Sequence, residues 1–93
     1  MKVVITSKNC TDEAMALLRA AGFEAERYQG PRMGPGCARE LVLAAAAGAD
    51  AVIAGLEPYD EAALAQLPRL KLISRCGIGY DSIDLEACRR RGI

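Results

Sequence analysis

Short apolar runs alternate along this chain with longer stretches whose apolar positions recur at helical spacing. The runs Lys2–Ile5 and Ala51–Ala54 are rich in β-branched and small apolar residues, which predicts strands that are buried on both faces. The stretch Phe23–Tyr28 alternates apolar and charged residues and therefore predicts an edge strand with one solvated face. Leu70–Arg75 predicts a fourth strand, again of the buried type.

The intervening stretches predict helices at residues 12–21, 37–47, 61–66 and 85–91. Thr11 or Asp12, Asp60 and Asp84 precede three of these helices. We expect them to act as N-caps because short side-chain oxygens accept hydrogen bonds from the unpaired N–H groups of a first helical turn. Gly22, Gly48 and Gly92 stand where glycine commonly ends a helix.

The resulting order is β-α-β-α-β-α-β-α, which predicts an α/β domain with a parallel sheet and helices on both faces. We expect the strand order 2-1-3-4, because it places the alternating strand at an edge. Ile93 follows the last helix and its glycine, so we interpret it as the start of a fifth strand that lies outside the chain. We therefore expect residues 1–93 to form one domain that is part of a longer protein. The exposed edge of strand four makes a homodimer possible.

Composition excludes several functional classes. Twelve basic and twelve acidic residues give no net charge, which argues against nucleic-acid or anionic-membrane partners. The chain has no histidine, and its four cysteines have no CxxC spacing, so we expect no metal site and no histidine base. No signal-peptide pattern or membrane-spanning apolar run is present, which predicts a cytoplasmic protein with reduced thiols.

The glycine turn Arg75-Cys-Gly-Ile-Gly79 follows the fourth strand at its carboxyl end, where open α/β sheets bind ligands. It is not a dinucleotide fingerprint, because Ser82 stands at the third glycine position and the helix begins only several residues later. Backbone N–H groups beside Arg75 are suited to a carboxylate or a phosphate. The alternative, glycines that serve only a tight turn, stays open.

Two other loops are ambiguous. The loop of residues 6–11 after strand one has hydroxyl groups but no glycine, so helix capping is favoured over phosphate binding. Residues 29–36 are rich in glycine and proline, and a plain connector is favoured over the rim of a cleft. Small buried fillers are the favoured interpretation of all four cysteines, with Cys76 beside Arg75 as the thiol of most interest.

Residues 70–93 closely resemble the NAD-dependent D-2-hydroxyacid dehydrogenases, particularly the phosphoglycerate dehydrogenase-like branch. In that family a strand leads into an Arg-x-Gly-x-Gly-x-Asp-Asn-Ile-Asp turn and a helix that ends in Gly-Ile or Gly-Val. The segment Asp50–Gly55 with Glu57-Pro58 is similar to the family's third strand and the loop after it. Ser82 replaces the usual asparagine of the turn.

The resemblance implies a flavodoxin-like substrate-binding domain of three α/β/α layers, whose cleft holds a small 2-hydroxy or 2-oxo acid. In the parent enzyme, the family's NAD-binding domain and its catalytic Arg, Glu and His would follow this segment. We therefore expect no cofactor and no dehydrogenase activity for this chain alone. A non-catalytic scaffold or self-associating module is the alternative. The substrate-binding residues that the resemblance implies are Gly55, Leu56, Arg75, Cys76, Gly77, Ile78 and Gly79.

Overall fold

The structure is a computed structural model that describes residues 1–77 and 79–93. Its strands are β1 (Lys2–Ile5), β2 (Glu24–Arg27), β3 (Ala51–Ala54) and β4 (Leu72–Arg75). Its helices are α1 (Asp12–Ala20), α2 (Arg39–Ala46), α3 (Glu61–Ala65) and α4 (Leu85–Arg91). Strands and helices alternate along the chain as the apolar pattern predicts. No helix within these ranges is long and apolar enough to cross a membrane.

The four strands form one parallel sheet in the order β2-β1-β3-β4, which confirms the predicted topology. Val3 of β1 is in register with Ala25 on one side and with Ala51 on the other. The alternating strand β2 lies at an edge, where its charged residues reach solvent. All four strands point the same way, so their carboxyl ends meet at one edge of the sheet.

Helices cover both faces of the sheet, as predicted. Val4 and Val52 point to one face and belong to a buried cluster that includes residues of α2, α3 and α4. Val3 and Ile5 point to the opposite face, where they pack with Met15 of α1. This division follows from the two-residue repeat of a strand, which sends successive side chains to opposite faces.

The prediction of a buried fourth strand was wrong for Leu72, whose side chain is 58% exposed. Leu72 pairs with Ala51 and so points to the face that α1 covers. The cluster on that face extends to Ile53 of β3 but does not reach β4. Leu70, which is buried, lies before the strand and packs against the other face.

Three of the predicted helix caps are confirmed. Thr11 accepts a hydrogen bond from the Ala14 N–H (3.1 Å), Asp60 one from Ala63 (2.9 Å) and Asp84 one from Ala87 (3.0 Å). Gly92 ends α4 with φ = 72°, a left-handed conformation that favours glycine. The second helix begins at Arg39 rather than Cys37, after an Ala38 that has no side-chain cap.

Candidate functional site

A cleft of about 630 Å³ lies at the carboxyl edge of the sheet. The loops that follow β1, β2 and β3 line it, together with the end of β4. Parallel strands place these loops side by side, which is why open α/β sheets bind ligands at this edge. The fold therefore brings together segments that are far apart in the sequence.

Four of the seven sequence-predicted site residues line this cleft, namely Gly55, Leu56, Arg75 and Cys76. Gly77 and Gly79 belong to the turn that follows but are not part of its lining. Ile78 lies outside the described residues. Two backbone N–H groups of the predicted set already have acceptors within the chain: that of Cys76 donates to the Ala54 carbonyl (3.0 Å), and that of Gly55 to Glu57 Oε1 (3.1 Å).

The Arg75 guanidinium folds back over the glycine turn. Its Nη1 donates to the carbonyl of Cys76, while its Nε is buried without an acceptor in the described part of the chain. Gly77 has φ = 128°, and a Cβ there would lie 3.0 Å from Arg75 Nη1. Glycine thus lets the guanidinium lie against the turn. Because Arg75 also lines the cleft, its positive charge is available to an anion bound there.

The charged side chains that line the cleft are all basic among the described residues: Lys8, Arg27, Arg32 and Arg75. Arg27 is held by Asp12 (3.0 Å) and by the Cys10 carbonyl (2.8 Å). The other three form no ion pair with any described acidic group. The cleft therefore suits a small anion.

Glu57 carries a buried carboxylate just below the cleft and is only 1% exposed. Its Oε1 accepts from the Gly55 N–H (3.1 Å), and its Oε2 accepts from the Tyr59 hydroxyl (2.9 Å) and from the Thr6 hydroxyl. The sequence places Glu57 in a polar loop, and its pattern contains no signal of this burial. Only the three converging donors explain how a carboxylate is stable there.

Tyr59 is fully buried beside that carboxylate. Burial, and secondly the negative charge of Glu57, raise the pKa of the Tyr59 hydroxyl far above its usual value of 10.0, so it remains a hydrogen-bond donor. Its backbone pairs with the segment that follows the glycine turn: its N–H donates to the Ser82 carbonyl (2.8 Å), and its carbonyl accepts from Asp84 (3.0 Å). The sequence predicts only a loop here.

The segment after β2 is more than the plain connector that we favoured. Arg32, Met33 and three neighbouring glycine or proline residues form one wall of the cleft. The Tyr28 hydroxyl donates to the Pro31 carbonyl (2.6 Å), which holds the start of this segment against the end of β2. Its glycine and proline content identifies this segment as a loop. Whether the loop lines a cleft depends on which strands are neighbours in the sheet, and composition does not show that.

The helix N-termini of the described residues do not fit a dinucleotide. Such a site needs a first turn whose N–H groups and positive dipole end are available to a pyrophosphate. In α1, α3 and α4 the side chains of Thr11, Asp60 and Asp84 each already accept from one of these N–H groups, and α2 has Glu40 in its first turn. Acidic residues also occupy the first turns of α1, α3 and α4.

Known proteins share this architecture. The family model for the catalytic domain of D-isomer specific 2-hydroxyacid dehydrogenases matches residues 3–93. The D-3-phosphoglycerate dehydrogenase of Mycobacterium tuberculosis is 38% identical over 56 residues, which are 59% of this chain and 11% of that protein. The glyoxylate reductase of Pyrococcus furiosus is 36% identical over 72 residues, which are 76% of this chain and 20% of that protein.

A solved structure supports the same relationship. The crystal structure of NAD⁺-bound 3-phosphoglycerate dehydrogenase from Entamoeba histolytica matches all of this chain with a TM-score of 0.80 and 31% identity. The match covers 31% of that protein chain. This chain thus spans about a third or less of the length of the relatives that it matches.

Proposed function

The chain belongs to the D-isomer specific 2-hydroxyacid dehydrogenase family, and we propose that it forms the substrate-side wall of a cleft for a small 2-hydroxy or 2-oxo acid. In a longer protein of this family, hydride would pass between NAD and C2 of the acid. We place no part of NAD on the residues of this chain. Their task in this proposal is to hold and orient the anionic end of the substrate.

The observation that carries this proposal is the position of Arg75. Its guanidinium lies at the carboxyl edge of the sheet, lines the cleft and forms no ion pair with a described acidic group. A substrate carboxylate or phosphate would accept from it in a charge-assisted hydrogen bond. Among the described residues, the N–H groups of Leu56, Gly77 and Gly79 are the remaining backbone donors of the proposed site, since those of Gly55 and Cys76 already have acceptors.

Titration of the ¹⁵N-labelled chain with glyoxylate and with D-3-phosphoglycerate, followed by amide chemical shifts, tests this function. The two probes are the small acids in the names of the relatives. We expect shifts around Leu56 and the glycine turn with a Kd of about 1–10 mM, which is weak because this chain supplies only one wall. Tighter binding of D-3-phosphoglycerate would favour a doubly anionic substrate.

The Arg75→Ala variant should bind about 10-fold to 100-fold more weakly, because a hydrogen bond to a charged group is lost. Arg69→Ala is the matched control: Arg69 pairs with Asp50 (3.5 Å), which precedes β3 at the opposite edge of the sheet. Equal losses in both variants, or no shifts at the turn of the wild type, would contradict the proposed site.

The chain alone should not oxidise NADH in the presence of glyoxylate. It contains no histidine to donate a proton at C2, and three of its four described helices carry their own side-chain N-caps. Spectrophotometric measurement of NADH consumption checks this expectation. Turnover that co-purifies with the chain and is lost in Arg75→Ala would show that the chain is catalytic.

A second candidate function, a non-catalytic module that self-associates, is favoured by one observation. The strand β4 lies at the edge of the sheet, and its Leu72 side chain is 58% exposed. An exposed strand edge with an apolar side chain is a template for pairing with a second copy of the chain.

A further inference from the structure

We infer that Glu57 is a positioning residue for the cleft, because its carboxylate joins the loops that follow β1 and β3 and binds Tyr59, whose backbone contacts the segment after β4. We call the group Thr6, Gly55, Glu57 and Tyr59 the Glu57 clasp. Thr6 follows β1, and the other three residues follow β3. Through the backbone of Tyr59 the clasp also reaches the segment after β4. The part of this inference that concerns ligand affinity rests on the proposed function.

The number and type of the donors explain why a carboxylate is needed. Two hydroxyl groups and one backbone N–H converge on the two oxygens of Glu57. An ionised carboxylate only accepts, so it can satisfy all three donors at once. An amide of the same shape is neutral and has one oxygen and one NH₂ group. Either the Gly55 N–H faces the NH₂ group, or the two hydroxyl groups must turn and accept from it, and in both cases charge-assisted hydrogen bonds are lost. Glu57→Gln therefore removes part of the clasp while it keeps the side-chain volume.

The absence of a side chain at Gly55 makes room for the Glu57 carboxylate in the clasp. A Cβ at this position would lie 3.1 Å from Glu57 Oε1 and 3.6 Å from the Ser7 Cα. Glycine thus allows the carboxylate and the loop after β1 to approach the end of β3 closely. The family resemblance implies that Gly55 contacts the substrate, and in the structure its N–H also donates to Glu57 within the clasp.

Tyr59 extends the clasp to the segment that follows the glycine turn. Its side chain binds Glu57, while its backbone forms a parallel bridge with Ile83 and hydrogen bonds to Ser82 and Asp84. Asp84 then caps α4 through the Ala87 N–H. A displacement of Tyr59 would consequently shift the turn that carries Gly77 and Arg75 relative to the other loops.

Amide hydrogen exchange of the 93-residue chain tests this inference with Glu57→Gln, and with Glu24→Gln as the matched control at an exposed position of β2. We expect exchange at the Gly55, Tyr59 and Asp84 amides to become about tenfold faster or more in Glu57→Gln. The amides of the β1–β3 ladder should keep the wild-type rate. Unchanged rates at the three clasp amides, or an equal increase throughout the sheet, would overturn the positioning role.

The ligand measurement separates this inference from the proposed function. If the wild type binds glyoxylate or D-3-phosphoglycerate, Glu57→Gln should raise the Kd about tenfold and Glu24→Gln should leave it unchanged. Equal affinity of Glu57→Gln and wild type would overturn the inference. Failure of the wild type to bind either acid would contradict the proposed function. The hydrogen-exchange rates would still show whether Glu57 holds the loops in position. If Glu57→Gln does not fold, Tyr59→Phe removes one donor and should show the same local exchange pattern.

Discussion

The Tyr59 hydroxyl donates a 2.9 Å hydrogen bond to the carboxylate of Glu57, and both side chains are almost completely buried. Burial and the charge of Glu57 raise the pKa of Tyr59, so this donor stays protonated throughout the neutral pH range. The carboxylate therefore depends on a partner that ordinary pH changes do not remove. The strength of this contact can be measured directly.

Tyr59→Phe should lower the free energy of unfolding by about 1.5–3 kcal/mol, because a buried carboxylate loses one of its donors. Urea denaturation at neutral pH measures this change. Tyr80→Phe is the control, since Tyr80 is 58% exposed, and it should alter stability by less than about 0.5 kcal/mol. A similar loss in both variants would show that the hydroxyl of Tyr59 contributes nothing specific.

Gly77→Ala should destabilise the chain by about 1–3 kcal/mol, because Gly77 has φ = 128°, a backbone conformation that residues with a Cβ rarely adopt. Gly34→Ala should be close to neutral, since no heavy atom lies within 4 Å of a Cβ there and the φ of Gly34 is not positive. Thermal unfolding of the two variants makes the comparison. The reverse ranking would contradict the described turn.

The stability of the chain should fall in acid partly because of Asp50. The backbone N–H of Lys2 donates to this carboxylate (2.8 Å) and, together with the weaker effect of Arg69, keeps the pKa of Asp50 below its usual value of 3.8. A carboxyl whose folded pKa is lowered stabilises the fold above its unfolded pKa. That contribution disappears as the pH falls through the folded pKa.

Asp50→Asn should therefore lose less stability than the wild type between about pH 5 and about pH 2. Chemical denaturation at several pH values in this window measures the difference. The lowered pKa of Glu61, which Arg91 and then Arg90 cause, affects both proteins equally and cancels in the comparison. Parallel stability curves for the two proteins would exclude a contribution from Asp50.

Self-association through β4 should depend on Leu72. Sedimentation equilibrium of the wild type should detect dimers at high concentration, and Leu72→Lys should abolish them because charged residues block pairing at a strand edge. Leu17→Lys is the control, since Leu17 is 73% exposed on α1, far from the edge of β4. A wild type that stays monomeric would remove self-association as a function.

The sequence by itself determined the order and type of the elements, because these depend on neighbours a few residues apart. β-branched runs specify β1 and β3, and the short side chains of Thr11, Asp60 and Asp84 specify where three helices begin. The alternation of strands and helices then restricts the sheet to a parallel one. The position of the Arg75 turn at its carboxyl edge follows from the same reasoning.

Only the tertiary structure decided which polar groups are buried and which apolar ones are exposed. Glu57 and Thr6 are 51 positions apart, and their contact exists only because β1 and β3 are neighbours in the sheet. Leu72 resembles a core residue in sequence, but α1 covers the other strands and not β4. Burial is a property of packing between distant segments, so local patterns identify the glycine turn after β4 but not the buried carboxylate of Glu57.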